Sequence, residues 1–171
     1  MKNYSKEEII ELVKTKKIGV KELIDNGICP TCFNKENNNI LYGSTKNTLI
    51  YENSDLEILL VTNPRSIGHT VIISKNHYKD MLEIPDDLCQ EMFLIAKKTM
   101  NILKEVYKCE SVYLCTMCDG PINHFHIQLI PRYQDKLRGS KNFVKERKNY
   151  IFDKEKFTKL KELLKNKKYK K

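Results

Sequence analysis

The chain has 171 residues, of which 40% are hydrophobic and 31% charged. That composition excludes a disordered polyelectrolyte and allows one domain with a sizeable core. The net charge of +9 suggests nucleic-acid binding, but residues 136–171 hold 15 Lys+Arg against 4 Asp+Glu, whereas residues 1–135 hold 16 against 18. The basic character therefore belongs to the tail, and nucleic acid is not the expected partner of the body. No apolar run approaches the ~18 residues of a spanning helix, so no membrane partner is expected. The N-terminus carries acids early and lacks an apolar h-region, which points to a cytoplasmic protein with reduced thiols. Two cysteine pairs, Cys29/Cys32 and Cys115/Cys118, have the C-x-x-C spacing of metal or redox chemistry.

In chain order, Ser5-Lys-Glu-Glu8 fits a capping box and opens a short helix over about 5–15. Residues 21–28 suggest a second turn, ended by Asn26-Gly27. Cys29–Asn39, rich in Cys, Pro and Asn, reads as a knuckle and loop. Thr48–Tyr51 and Leu56–Val61 are strand-like and flank an Asn53-Ser54-Asp55 turn, which predicts a hairpin. His69–Ser74 is another short β run. The strongest helix signal is 86–108, with Pro85-Asp86-Asp87 at its start and Leu88, Met92, Ile95, Thr99, Ile102, Leu103 and Val106 as its core stripe. Ser111–Met117 reads as a strand, Asp119-Gly120-Pro121 as a turn, and His124–Pro131 as a strand of strict alternation. Phe157, Leu160, Leu163 and Leu164 predict a last amphipathic helix over about 153–166. Early hairpin strands with one long helix argue for an α+β fold with a mainly antiparallel sheet.

Alternation places His124, His126 and Gln128 on one face of their strand, with Phe125, Ile127 and Leu129 on the other. Imidazoles in this setting suit a metal ligand, or a nucleophile or base near neutral pH. Hydrogen-bonded surface histidines are the plain alternative.

His124-Phe-His-Ile-Gln-Leu-Ile-Pro-Arg132 resembles the signature of the histidine-triad (HIT) superfamily. Gly68-His-Thr-Val-Ile-Ile-Ser-Lys-Asn-His77 resembles the family's upstream segment, with Ser74 where proline is usual. Cys29-Pro-Thr-Cys32 is similar to the N-terminal pair of zinc-bearing members. The resemblance runs from about 29 to 150. It implies an N-terminal helical extension over 1–28, a HIT-like domain over 29–150 and a basic helix or tail over 151–171.

The resemblance makes His126 the nucleophile on the α-phosphorus of a nucleotide or dinucleoside polyphosphate, through a covalent nucleotidyl-histidine. Gln128 stands where hydrolase branches carry histidine. Here it resembles the hexose-1-phosphate uridylyltransferases and the dinucleoside-tetraphosphate phosphorylases. An amide donates a hydrogen bond but delivers no proton at neutral pH. That favours nucleotidyl transfer or phosphorolysis over hydrolysis. His124 joins the catalytic set and also, with Cys29, Cys32 and His77, a ligand set suited to structural zinc. Asn63, Asp119, Gly120 and Asn123 are the nucleotide-binding candidates, the last three standing in a loop shorter than the family's. His69 is left without a role. A homodimer is expected, because many single-domain relatives pair. Two rival readings stand beside this one. The first is a non-catalytic nucleotide-binding member of the same fold. The second is a zinc ribbon of Cys29, Cys32, Cys115 and Cys118 on a nucleic-acid-binding module. In a strand, Cys115 and Cys118 face opposite ways, which opposes the ribbon.

Overall fold

The first helix, α1 (Lys6–Lys14), starts at a reciprocal cap. The Ser5 hydroxyl accepts from the Glu8 N–H, and the Glu8 carboxylate accepts from the Ser5 N–H. The computed structural model describes residues 4–43, 47–118, 120–134, 139, 141, 146–147 and 152–166. Helix α2 (Val20–Asp25) follows. The expected knuckle and loop after it is instead a helix, α3 (Pro30–Glu36). Proline at its first position needs no N–H partner and has its φ preset for the helix. Asn38 and Asn39, both at positive φ, lie just past its end. Ile9, Val13, Leu23 and Phe33 pack these three helices into a small core of their own.

The hairpin forms as expected, from β1 (Leu49–Glu52) and β2 (Leu56–Leu60). Strand β3 (Thr70–Ser74) pairs with β2, and the long helix α4 spans Asp86–Tyr107. Strand β4 (Ser111–Cys115) stops two residues short of the expected end, and β5 spans His126–Arg132. Helix α5 (Lys154–Lys165) matches the predicted terminal helix. The strands form an antiparallel five-stranded sheet in the order β1-β2-β3-β5-β4. The fold is thus the α+β architecture with one long helix between the two histidine-bearing segments.

One face of the sheet is the core. Ile58, Ile72, Ile127 and Leu129 pack with Met92, Ala96, Ile102 and Leu103 of α4 and with Phe157, Leu160 and Leu164 of α5. Burying these side chains against two helices fixes the sheet's register, because a one-residue slip would turn the apolar set outward. The opposite face of β5 then presents His126 and Gln128. Among the described residues, no helix is long and apolar enough to cross a membrane.

Candidate active site

Strand β5 begins at His126, not at His124 as the alternation suggested. The reason is local. The Phe125 N–H is already taken by the Tyr78 carbonyl at 2.7 Å, so the ladder with β3 starts one residue later, where His126 faces Ile73. His124 therefore lies just ahead of the strand, and its ring is turned toward the two cysteines.

That turn links two functions at one residue. The His126 Nδ1 lies 2.9 Å from the His124 carbonyl oxygen. A carbonyl only accepts, so Nδ1 carries the proton and Nε2 is left with its lone pair. The Gln128 amide nitrogen stands 3.4 Å from that Nε2. The arrangement turns the imidazole Nε2 toward an amide donor, which is the equipment of a nucleophile facing an anionic centre.

His124 uses its ring differently. Its Nε2 donates to the Ser74 carbonyl at 2.9 Å, and its Nδ1 lies 3.6 Å from the Cys29 Sγ and 3.5 Å from the Cys32 Sγ. The His77 Nδ1 is 3.4 Å from the Cys32 Sγ. All four ligand atoms lie within 4.8 Å of one another. Tetrahedral zinc with Zn–S near 2.3 Å and Zn–N near 2.0–2.1 Å has S···N edges of about 3.6 Å, so the donor set fits that ion. The Ser74 carbonyl holds the His124 ring in the tautomer a metal needs. Burial, and next the neighbouring Cys29, push the Cys32 thiol up to about 12. A dication would reverse that penalty by neutralising paired thiolates. The helix α3 that the sequence hid explains the pair's geometry, since Cys29 is its N-cap and Cys32 lies in its first turn. Among the described residues, Cys115 and Cys118 join no such cluster. Cys115 ends β4 opposite Gln128, and Cys118 is exposed in the loop beyond.

The nucleotide-binding candidates are spread out. Asn63 lies in the β2–β3 connection, and its carbonyl accepts from the Arg147 Nη1 at 3.0 Å. Asn123 flanks the other end of the β3–β5 pair, where its amide donates to the Lys79 carbonyl at 2.6 Å. Gly120 is exposed, at a φ of +88°. Asp119 lies outside the described residues. A cavity of about 760 Å³ opens elsewhere, along α5 around Phe152 and Lys161, and touches none of the site residues.

His69, to which the sequence assigned nothing, is fully buried just before β3, and its Nδ1 accepts from the Arg65 N–H at 3.3 Å. It lies two residues before Val71, the cross-strand neighbour of Gln128. Burial, and then the positive charge of Arg147, hold it down at about 4, while Gln128 pulls the other way. His69 is thus a buried neutral ring beside Gln128, toward the face that presents His126. Arg65, Arg132 and Arg147 all lie near it. Arg65 and Arg147 stand in no motif, and the one signal for them in the sequence is the rarity of arginine, four against 27 lysines.

The comparisons with known proteins agree with this geometry. A family model described as "HIT domain" matches residues 43–135, more than half of the chain. An uncharacterized HIT-like protein from Methanocaldococcus jannaschii is 32% identical over 100 residues, covering 56% of this chain and 76% of that one. The crystal structure of a hypothetical histidine triad nucleotide-binding protein from Sulfolobus tokodaii is similar with a TM-score of 0.53 at 25% identity. It covers 68% of this chain and 80% of that one. A zinc-bound histidine triad family protein from Mycobacterium smegmatis has the same fold, with a TM-score of 0.55 at 18% identity and coverage of 68% and 82%.

Proposed function

The chain belongs to the HIT domain family, and from that premise we propose that it is a nucleotidyl-transfer enzyme acting through His126. The observation that carries this reading is the tautomer. The His124 carbonyl takes the Nδ1 proton of His126 and leaves Nε2 as a lone pair beside the Gln128 amide. The Nε2 lone pair attacks the α-phosphorus of a nucleotide or dinucleoside polyphosphate. The Gln128 N–H donates to a non-bridging oxygen as charge shifts onto it. The nucleotidyl group then passes to an acceptor, and Nε2 regains its lone pair. Gln128 delivers no proton, which favours transfer or phosphorolysis over hydrolysis and supports the uridylyltransferase and phosphorylase branch.

Cys29, Cys32, His77 and His124 fit zinc, and the zinc-bound relative supports that ion. Four protein ligands close the site, so a bound ion supplies structure and no reaction chemistry. Asn63, Gly120 and Asn123 border the nucleotide's place in this reading. It also includes a cytoplasmic homodimer. The partly exposed Leu114 on the edge strand β4 supports pairing of two copies.

The test is chemical. Protein incubated with α-labelled nucleotides and dinucleoside polyphosphates, then quenched, carries acid-labile label, and His126→Ala carries none. Absence of both label and product across the panel overturns the reading.

A further inference from the structure

Helix α5 carries five lysines, and they fall into two groups. Lys156 pairs with Asp153 at 2.8 Å, and Lys159 pairs with Glu105 at 3.7 Å. Lys154, Lys161 and Lys165 carry no ion pair among the described residues. The helical period puts these three on one side of α5 and Lys156 and Lys159 on the other. All three line the cavity of about 760 Å³ that opens along the helix, where Glu162 is the one acid. The pairing thus follows the cavity. Cations turned away from it are neutralised, and cations along it are not.

The same cavity holds two aromatic rings, Phe152 and Phe157, whose centres lie 5.1 Å apart at a tilt of 57°. Phe157 belongs to the core, and the Lys161 ammonium stands 5.4 Å from its centre. Phe152 is 45% exposed. It rests on Phe157 and leaves ring surface open to solvent. Thr48, just ahead of β1, and Thr62, just past β2, form the opposite side.

An exposed ring beside three uncompensated ammonium groups has the chemistry of a base-stacking surface next to a phosphate track. An acidic peptide would neutralise the lysines but leave the ring without a flat partner. A lipid surface takes apolar groups that project, whereas these line a concavity. Lysine brings charge without the guanidinium fork, so the contacts hold phosphates and read no sequence. From Lys154 to Lys165 the helix rises about 16 Å, the length of a few nucleotides. The sequence runs on as Lys167-Lys-Tyr-Lys-Lys171, with four further cations.

We propose that the groove along α5 binds single-stranded nucleic acid, with a base stacked on Phe152 and backbone phosphates along Lys154, Lys161 and Lys165. The groove shares no residue with the histidine strand, so it is a second site and stands apart from the reading of His126. The positive charge gathered in residues 136–171, which the near-neutral body lacks, then has a partner of matching sign.

The experiment follows a fluorescein-labelled 12-nucleotide oligouridylate by anisotropy, with the full chain, between 50 and 200 mM salt. Phe152→Ala weakens binding about fivefold or more. Phe152→Leu, which keeps apolar bulk but no stacking face, weakens it as well. Lys161→Ala and Lys165→Ala each weaken binding, and each lowers the salt slope by about 0.7. Lys14→Ala on α1 and His126→Ala bind like the parent. Phe152→Trp supplies a single tryptophan to a chain that has none. Its emission is quenched by the oligouridylate and not by polyglutamate, a readout that holds even where Phe152→Ala unfolds. Parent-like binding by Phe152→Leu, or an unquenched tryptophan, overturns the stacking site. So does a duplex of the same length that competes as well as the single strand. Losses confined to the lysine variants mark a general polyanion surface and overturn the groove. Displacement by polyglutamate at equal charge identifies an acidic peptide as the occupant and overturns it too, as does the absence of binding at 50 mM salt.

Discussion

Replacing Gly68 by alanine tests how the segment leading into β3 is seated on the core. Gly68 has a φ of +80°, and a Cβ there would lie 2.8 Å from Cδ2 and 2.9 Å from Cε2 of Tyr107. Tyr107 is buried in the last turn of α4 and cannot swing into solvent. Two costs add. The left-handed backbone costs an L-residue about 1–2 kcal/mol, and forcing a methyl into a packed ring costs about 1–3 kcal/mol. The sum, about 2–5 kcal/mol, lowers Tm on the order of 10 °C in a domain of this size. The chain has no tryptophan, so unfolding in urea is followed by far-ultraviolet circular dichroism. A double-mutant cycle separates the terms. In a Tyr107→Ala background the ring is gone, and Gly68→Ala costs only the backbone part, about 1–2 kcal/mol. Equal costs in both backgrounds would refute the contact as the reason for glycine.

Two further predictions concern the histidines. Protein purified without chelator carries about one zinc per chain by atomic emission. Cys32→Ser and His124→Ala lose it, while Cys115→Ser combined with Cys118→Ser keeps it; the reverse pattern would sink the Cys29/Cys32/His77/His124 site. Acid stability depends on His69. Its folded-state value, about 4, lies below the ~6.5 of an unfolded histidine. The unfolded chain therefore takes the proton first. The stability contributed by the neutral ring is complete above about pH 6.5 and is lost as the pH falls toward 4. The loss is roughly 3 kcal/mol, and His69→Asn flattens the urea midpoint against pH over that window. Identical slopes for the two proteins would show that His69 is not the acid-sensitive group.

The sequence made the hairpin, β3 and α4 legible because β-branched runs and a 3.6-residue stripe report burial directly. It misled at Cys29–Asn39, where Cys, Pro and Asn read as loop. There Pro30 is a helix start, and Ile9, Val13 and Leu23 supply a face for Phe33 to pack on. Alternation around His124-Phe-His126 began the strand too early, because a hydrogen bond from Phe125 to Tyr78 lies outside any local pattern. The four metal-competent residues were readable from their resemblance to a family. Arg65 and Arg147 stood out only by the rarity of arginine in this chain. Their meeting depends on how the β2–β3 connection lies against a segment far along the chain, and no spacing encodes that.

Residue 124 is a joint between two machines. Its imidazole faces the two thiols, and its carbonyl oxygen sets the tautomer of the neighbouring imidazole. Anything that loosens the ring, such as chelation, thiol alkylation or oxidation of Cys32, also frees that carbonyl and scrambles the proton on His126. If His126 is the nucleophile proposed above, a protein stopped in this way would mimic one with a catalytic metal. The two would be told apart by whether any ion that fits the Cys29/Cys32/His77/His124 donors restores activity, whatever its Lewis acidity.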